Sequence, residues 1–141
     1  NVVDSYIGLH DWESALEYAE RGARYCLDHG EIGPFILLEL NAVSGDYATQ
    51  QIDRLHARLK QVEELHHIVA KQRVYEAMYK AGWAKYEFLR AKMARTARRR
   101  AKSLEWARLY VVQIEEMPDA EEDEQVQGIL TELKEIAQEF E

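Results

Sequence analysis

The chain has 141 residues, a formal net charge of −8 and 47% hydrophobic residues, so it can bury a core beneath a strongly charged surface. No apolar run approaches the roughly 20 residues of a bilayer span, no secretory signal is visible, and the single cysteine excludes an internal disulfide. These features predict a soluble protein of a reducing compartment, cytoplasmic or nuclear, with no membrane partner. Because the chain begins at Asn1 without an initiator methionine, we expect a fragment or a processed form.

The first strong pattern is a run of small residues. Ala15, Ala19, Gly22 and Cys26 are spaced four, three and four apart, which places them on one face of a helix. Such a face lets another helix approach closely, and we expect that neighbour to be the preceding segment, residues 2–9.

Glycine and proline then mark the next boundary. Gly30, Gly33 and Pro34 end this helix, and Pro34 can lie in the first turn of the next one. That next helix is apolar on nearly all sides, which predicts that it is buried.

The chain after residue 47 favours long helices. Residues 47–81 contain neither glycine nor proline, Gly82 follows, and a second uninterrupted run extends to Met117 with Trp106 in its apolar stripe. We therefore expect two long helices packed antiparallel about Gly82. The alternative is a pair of concealed breaks, near residues 63–67 and 98–103.

Strand signals are absent, so the predicted fold is all-α, built from antiparallel helical hairpins. We expect one helical domain over residues 1–141. Within it, repeat-like helix pairs cover residues 1–60, a long helical hairpin covers 61–117, and an acidic closing helix covers 118–141.

With Tyr6, Trp12, Ala15 and Gly22 placed around its first turn, the N-terminal part resembles the tetratricopeptide-repeat (TPR) family over about its first sixty residues. Aromatic or acidic turn residues recur at intervals of 35, 36 and 36 residues, which is typical of helix-pair repeats: Trp12, Tyr47, Trp83 and Asp119. The residues that match the TPR pattern are Tyr6, Asp11, Trp12, Ala15 and Gly22, and more weakly Gly45, Asp46, Tyr47 and Ala57. The family's first-helix Gly, turn Gly and closing Pro are replaced by Val3, His10 and Leu27.

This resemblance implies a scaffold that binds peptides or partner proteins in a groove lined by the first helix of each pair. The repeat positions that line the groove correspond here to Asp4, Ile7, Phe35, Glu39 and Val43.

The charges are strongly segregated along the chain. Residues 84–102 hold eight basic residues against one acid, whereas residues 115–141 hold eleven acids against one base. Arg95, Arg98, Arg99 and Lys102 share one helix face and form a basic patch. The patch could bind a nucleic-acid backbone or an acidic partner, but an internal match with the acidic tail, beginning at residues 115–124, is the simpler explanation.

Candidates for catalysis are few. The sequence Glu63-Glu64-Leu65-His66-His67 holds two Glu-x-x-His spacings, but a paired-metal bundle needs a second copy on another helix. Cys26 lies among small residues and is expected to be a core side chain. We therefore expect no enzyme activity, no metal and no cofactor.

Three functions remain open. The first is a non-catalytic scaffold or adaptor that binds a peptide or partner protein through its helical surfaces. The second is a nucleic-acid-binding or regulatory module that uses the basic helix 85–102, and the third is a structural oligomerisation domain.

Overall fold

The computed structural model of the protein describes residues 12–141. This part of the chain forms seven α-helices, one 3-10 helix and no strand, which confirms the all-α prediction for it. The helices are α1 (Trp12–Asp28), α2 (Ile32–Ala48), α3 (Ile52–Glu63), α4 (His66–Val69), α5 (Arg73–Met93), α6 (Ala97–Glu115) and α7 (Glu124–Gln138), and the 3-10 helix is Ala120–Glu122. No helix of the described part is both long and apolar enough to cross a membrane.

The chain divides into two compact units, Asn1–Val69 and Ala70–Glu141. The boundary lies later than residue 60, where we expected the repeat-like part to end. That the whole chain behaves as one domain stays a prediction.

In the first unit, the small-residue face of α1 packs against the following helix. Ala15 and Ala19 share a buried cluster with Ala42 of α2, and Leu38 packs against it. A Cβ atom built on Gly22 would lie 2.8 Å from Leu38 Cδ1, so the absence of a side chain there permits the close approach. The described neighbour of this face is therefore α2, whereas the expected neighbour, residues 2–9, lies outside the described residues.

The turn between α1 and α2 follows the glycine and proline pattern. Gly30 has φ +71°, the left-handed conformation that glycine adopts without cost, and the Glu31 N–H donates to the Cys26 carbonyl at 2.8 Å. Gly33 and Pro34 lie in the first turn of α2. The predicted boundary is confirmed.

The expected long helix over residues 47–81 is wrong. Gln50 adopts φ 57° and ends α2, a second break follows α3 at Glu64 and Leu65, and a third separates α4 from α5. The alternative break near residues 63–67 is therefore present. The break after α2 needs no glycine because Gln50 adopts the left-handed conformation that glycine usually supplies.

The hairpin predicted about Gly82 is also wrong. Gly82 is buried inside α5, which continues from Arg73 to Met93. Glycine costs a helix about 1 kcal/mol relative to alanine, and the burial of neighbours such as Phe88 and Leu89 outweighs that cost.

The true hairpin turn of the second unit lies at residues 94–96 and joins α5 to α6 antiparallel. Ala94 leaves the helix with φ −66° and ψ 132°. Thr96 then caps α6, since its Oγ1 accepts a hydrogen bond from the Arg99 N–H at 3.2 Å. Because α6 continues to Glu115, the alternative break near residues 98–103 is absent.

The closing helix α7 matches its prediction. Asp119 turns the chain with φ 60°, and Asp123 caps α7 by accepting from the N–H groups of Gln125 and Val126. The helix buries four apolar side chains, Val126, Leu130, Leu133 and Ile136. Hydrogen bonds from these two N–H groups and from Arg73 lower the pKa of Asp123 despite partial desolvation.

Candidate functional site

Three of the five residues predicted from the TPR pattern to bind a partner are buried. Phe35, Glu39 and Val43 all lie in α2 and are 3%, 4% and 2% exposed, while Asp4 and Ile7 fall outside the described residues. Phe35 and Glu39 line the inner part of a cleft in the first unit. Their role in partner binding stays a prediction.

The four residues of the basic patch are all exposed. Arg95 lies in the turn before α6, and Arg98, Arg99 and Lys102 occupy the first turns of that helix. None of the four makes an ion pair within residues 12–141. The positive end of the α6 dipole lies at the same place and adds to their positive potential.

The expected match between this patch and the acidic tail forms elsewhere. Lys85 and Lys92 of α5 pair with Glu132 and Glu139 of α7 at 2.5 and 3.1 Å. The acids of residues 115–124 begin at the far end of α6, about 26 Å from Arg98 at the standard helical rise. These acids are therefore too far from the basic patch to screen its charge.

Beyond the patch, the exposed side of α6 becomes apolar. Trp106, Leu109 and Val112 are 46%, 43% and 43% exposed and line a shallow depression of about 500 Å³ together with Lys102, Glu105 and Arg108. The buried residues of the same helix, Leu104, Ala107 and Ile114, lie on the opposite side. The expectation that Trp106 belongs to the core stripe is therefore wrong.

We call the residues Arg98, Lys102, Trp106, Leu109 and Val112 the α6 outer face. At 100° per residue they fall within an arc of about 120°, with the two cations at one end and the apolar side chains after them. The exposed Glu105 lies in the same arc, between the cations and the apolar side chains. The helix α6 carries two apolar stripes, and Leu104, Ala107 and Ile114 form only the buried one. From the sequence alone we treated both as a single stripe and so did not predict the exposed face. The second stripe, spaced 106, 109 and 112, was the signal that could have found it.

The first unit contains a buried ionic network centred on Arg58 of α3. Its guanidinium donates to Asp46 at 2.5 Å, to Glu20 at 3.1 Å and to Glu39 at 3.4 Å. Asp46 is fully buried, and Arg54 adds a bond to Glu20 at 2.9 Å and an ion pair to Asp46 at 3.6 Å. The network ties α1, α2 and α3 together.

Burial controls the protonation of this network. It raises the pKa of Glu39 and of Asp46, and the attraction of Arg58 opposes both shifts. Burial also disfavours the charged Arg58, but Asp46 and Glu39 more than offset this, so the pKa of Arg58 is raised and the guanidinium stays charged. No sequence pattern indicated this network directly, although Arg58 falls beside Leu59 within the apolar stripe of α3.

The remaining sequence candidates are a buried cysteine and a pair of exposed histidines. Cys26 is buried, and burial raises the pKa of its thiol, which is typical of an unreactive core cysteine. His66 and His67 are exposed at the start of α4, as expected for a helix boundary. Residues 12–141 contain no group of three or more His, Cys, Asp or Glu side chains placed to hold a metal ion.

No protein-family model, curated protein or solved structure matches this chain. The resemblance to TPR proteins therefore stays a prediction, and we infer a function from the α6 outer face and the ionic network alone.

Proposed function

We propose that the protein is a non-catalytic interaction module whose α6 outer face binds an acidic amphipathic helix of a partner protein. The observation that carries the proposal is that α6 is apolar on both sides, although only one side is covered by its own unit. An exposed tryptophan beside two exposed aliphatic residues is typical of a binding surface, since large aromatic side chains supply much of the binding free energy at interfaces.

The two cations of the α6 outer face indicate that its partner is acidic. Lys102 adjoins the apolar depression and Arg98 lies one turn before it, so a partner helix lying along α6 would place one of its ends over two unpaired cations. Acidic residues at that end would gain attraction at a partly desolvated surface, whereas basic residues would be repelled. Apolar residues spaced three and four apart on the partner would contact Trp106, Leu109 and Val112.

Nucleic acid is the competing ligand for the basic patch. Four exposed cations without ion pairs favour phosphate binding, but the adjoining apolar side chains would remain uncovered by a phosphate backbone. Base stacking on Trp106 alone would leave Leu109 and Val112 exposed. A helical partner covers both halves of the face, which is why we favour it.

The test uses a fluorescent synthetic helix with leucines along one face and glutamates at one end, titrated with the full chain and followed by anisotropy. Trp106→Ala should weaken binding by roughly 30-fold, corresponding to about 2 kcal/mol for a central aromatic anchor. Gln125→Ala on the exposed surface of α7 is the matched control and should bind like the wild type.

Four comparisons decide between the functions. A peptide with lysines in place of the glutamates should bind more weakly than the acidic peptide, and raising the salt should reduce that difference. Equal binding of Trp106→Ala and wild type would refute the proposal. Preferred binding of duplex DNA or single-stranded RNA would establish the nucleic-acid function instead. Concentration-dependent mass in sedimentation, abolished by Leu109→Glu, would make a second copy of the chain the occupant.

A further inference from the structure

The ionic network of the first unit has one carboxylate more than it can pair. Two guanidinium groups, Arg54 and Arg58, face three carboxylates, Glu20, Glu39 and Asp46. Glu20 and Asp46 each contact both arginines, whereas Glu39 receives only one bond, at 3.4 Å from Arg58. The surplus negative charge therefore falls on Glu39.

One oxygen of Glu39 is left without a donor. Glu39 is only 4% exposed, and its Oε2 atom is buried without a hydrogen-bond partner among the described residues. A buried carboxylate oxygen without a hydrogen-bond donor destabilises the folded state unless it takes up a proton or gains a donor. The raised pKa of Glu39 shows that a proton is one way to satisfy it.

Glu39 lies in the wall of a cleft of about 380 Å³. Glu39 lines it together with four side chains that offer apolar surface, Ala23, Leu27, Phe35 and Ala57. This volume lies at the lower end of the range for small-molecule sites and suits a ligand of side-chain size. The remaining lining residues are polar or charged: Glu20, Arg24, Asp28, Arg54, Arg58 and Gln61.

We propose that this cleft binds an organic cation, a protonated primary amine on a short aliphatic stem. The ammonium group donates to Glu39 Oε2 and neutralises the surplus charge, while the stem contacts Leu27, Phe35 and Ala57. A simple metal ion fits less well, because residues 12–141 hold no group of three or more His, Cys, Asp or Glu side chains placed to bind one. The site lies in the first unit and does not depend on the function proposed for the α6 outer face.

Two kinds of molecule carry this group, a free amine and the side chain of a peptide lysine. The experiment therefore uses two probes, n-butylammonium and N-acetyl-lysine methylamide, each titrated into the full chain and followed by ¹H–¹⁵N NMR shifts. We expect saturable shifts at Glu39, Ala57 and the Arg58 side-chain Nε–H. Tighter binding of the lysine derivative would identify a peptide ligand, and tighter binding of butylammonium a free amine.

Two variants separate binding from folding. Glu39→Gln keeps the shape of the side chain but removes the charge, and it should weaken binding by about tenfold or more. Ala57→Leu leaves the network intact and fills the cleft, so it should also abolish the shifts. Circular dichroism of both variants should match the wild type.

The proposal would be overturned by equal shifts in Glu39→Gln and wild type, or by equal shifts with neutral 1-butanol, which would indicate a merely apolar cleft. The absence of saturable shifts with either amine would overturn it as well. None of these outcomes bears on peptide binding by α6, so failure here and failure of the proposed function are distinguishable.

Discussion

The sharpest prediction concerns Arg58→Met in the buried network. Methionine keeps most of the arginine stem but carries no charge, so Asp46 and Glu39 would stay buried without their principal cation. Removing one partner of a buried ion pair costs about 3–5 kcal/mol, because the remaining charge is left uncompensated. This is a large fraction of the stability of a small helical unit.

The cost of Arg58→Met should depend on pH. Burial already raises the pKa values of Glu39 and Asp46, and loss of the guanidinium removes the attraction that opposes these shifts. Each carboxyl can then take up a proton, which recovers up to about 1.4 kcal/mol for each pH unit between its folded pKa and its ordinary pKa. The destabilisation should therefore be smaller at about pH 5 than at about pH 7.

The assay is urea unfolding of the full chain followed by tryptophan fluorescence. Trp12 is the one tryptophan of the first unit, so Trp83→Phe and Trp106→Phe in the background make the signal specific to it. Arg54→Met is the matched control, because that side chain is 46% exposed and its pairs should be worth about 1 kcal/mol or less. An Arg58→Met midpoint equal to that of the wild type would refute the buried network.

Three further predictions test packing, capping and protonation. Ala19→Leu should overpack the interface between α1 and α2 and cost roughly 1–3 kcal/mol in urea unfolding, whereas the exposed Glu13→Leu should change little. Thr96→Ala should remove the cap of α6 and cost about 1 kcal/mol, with the exposed mid-helix Thr131→Ala as the near-neutral control. Because the folded state raises the pKa of Glu39 above its ordinary value of 4.5, protonation adds stability that is fully present below about pH 4.5 and is lost as pH rises through the folded pKa. Subtracting the pH dependence of Glu39→Gln from that of the wild type should give this curve, and an opposite slope would contradict it.

The sequence predicted the parts of the fold that local chemistry decides. Gly30 and Pro34 set the turn between α1 and α2, and Asp119 and the apolar spacing after it set α7. At these places a residue type with a narrow conformational preference stands at the boundary itself. Local preference and final structure agree there.

The misplaced hairpin shows where that reasoning fails. Gly82 looked like a boundary, but burial within α5 overrides its weak helix propensity, and the true turn depends on the Thr96 cap. Gln50 ends α2 in a conformation that the sequence would assign to glycine. Both cases are decided by tertiary packing or by capping, which a search for glycine and proline does not detect.

The candidate sites were harder to predict because each breaks a local rule. The basic patch was found from its spacing, but its apolar continuation at Trp106 was assigned to the core, since one helix rarely needs two apolar sides. The TPR pattern predicts Glu39 as a partner-binding residue, and that stays a prediction. Its buried pairing with Arg58 had no signal in sequence.

The buried charges of the first unit can serve stability or binding, and one variant distinguishes between these two roles. Replacing Arg58, Asp46 and Glu39 together with apolar residues of similar volume would remove both the charges and their desolvation cost, and such replacements are often neutral or stabilising. If the triple variant is as stable as the wild type or more so, the network is not kept for stability. The surplus carboxylate of Glu39 then calls for a role in binding, as the exposed apolar side of α6 does in the second unit.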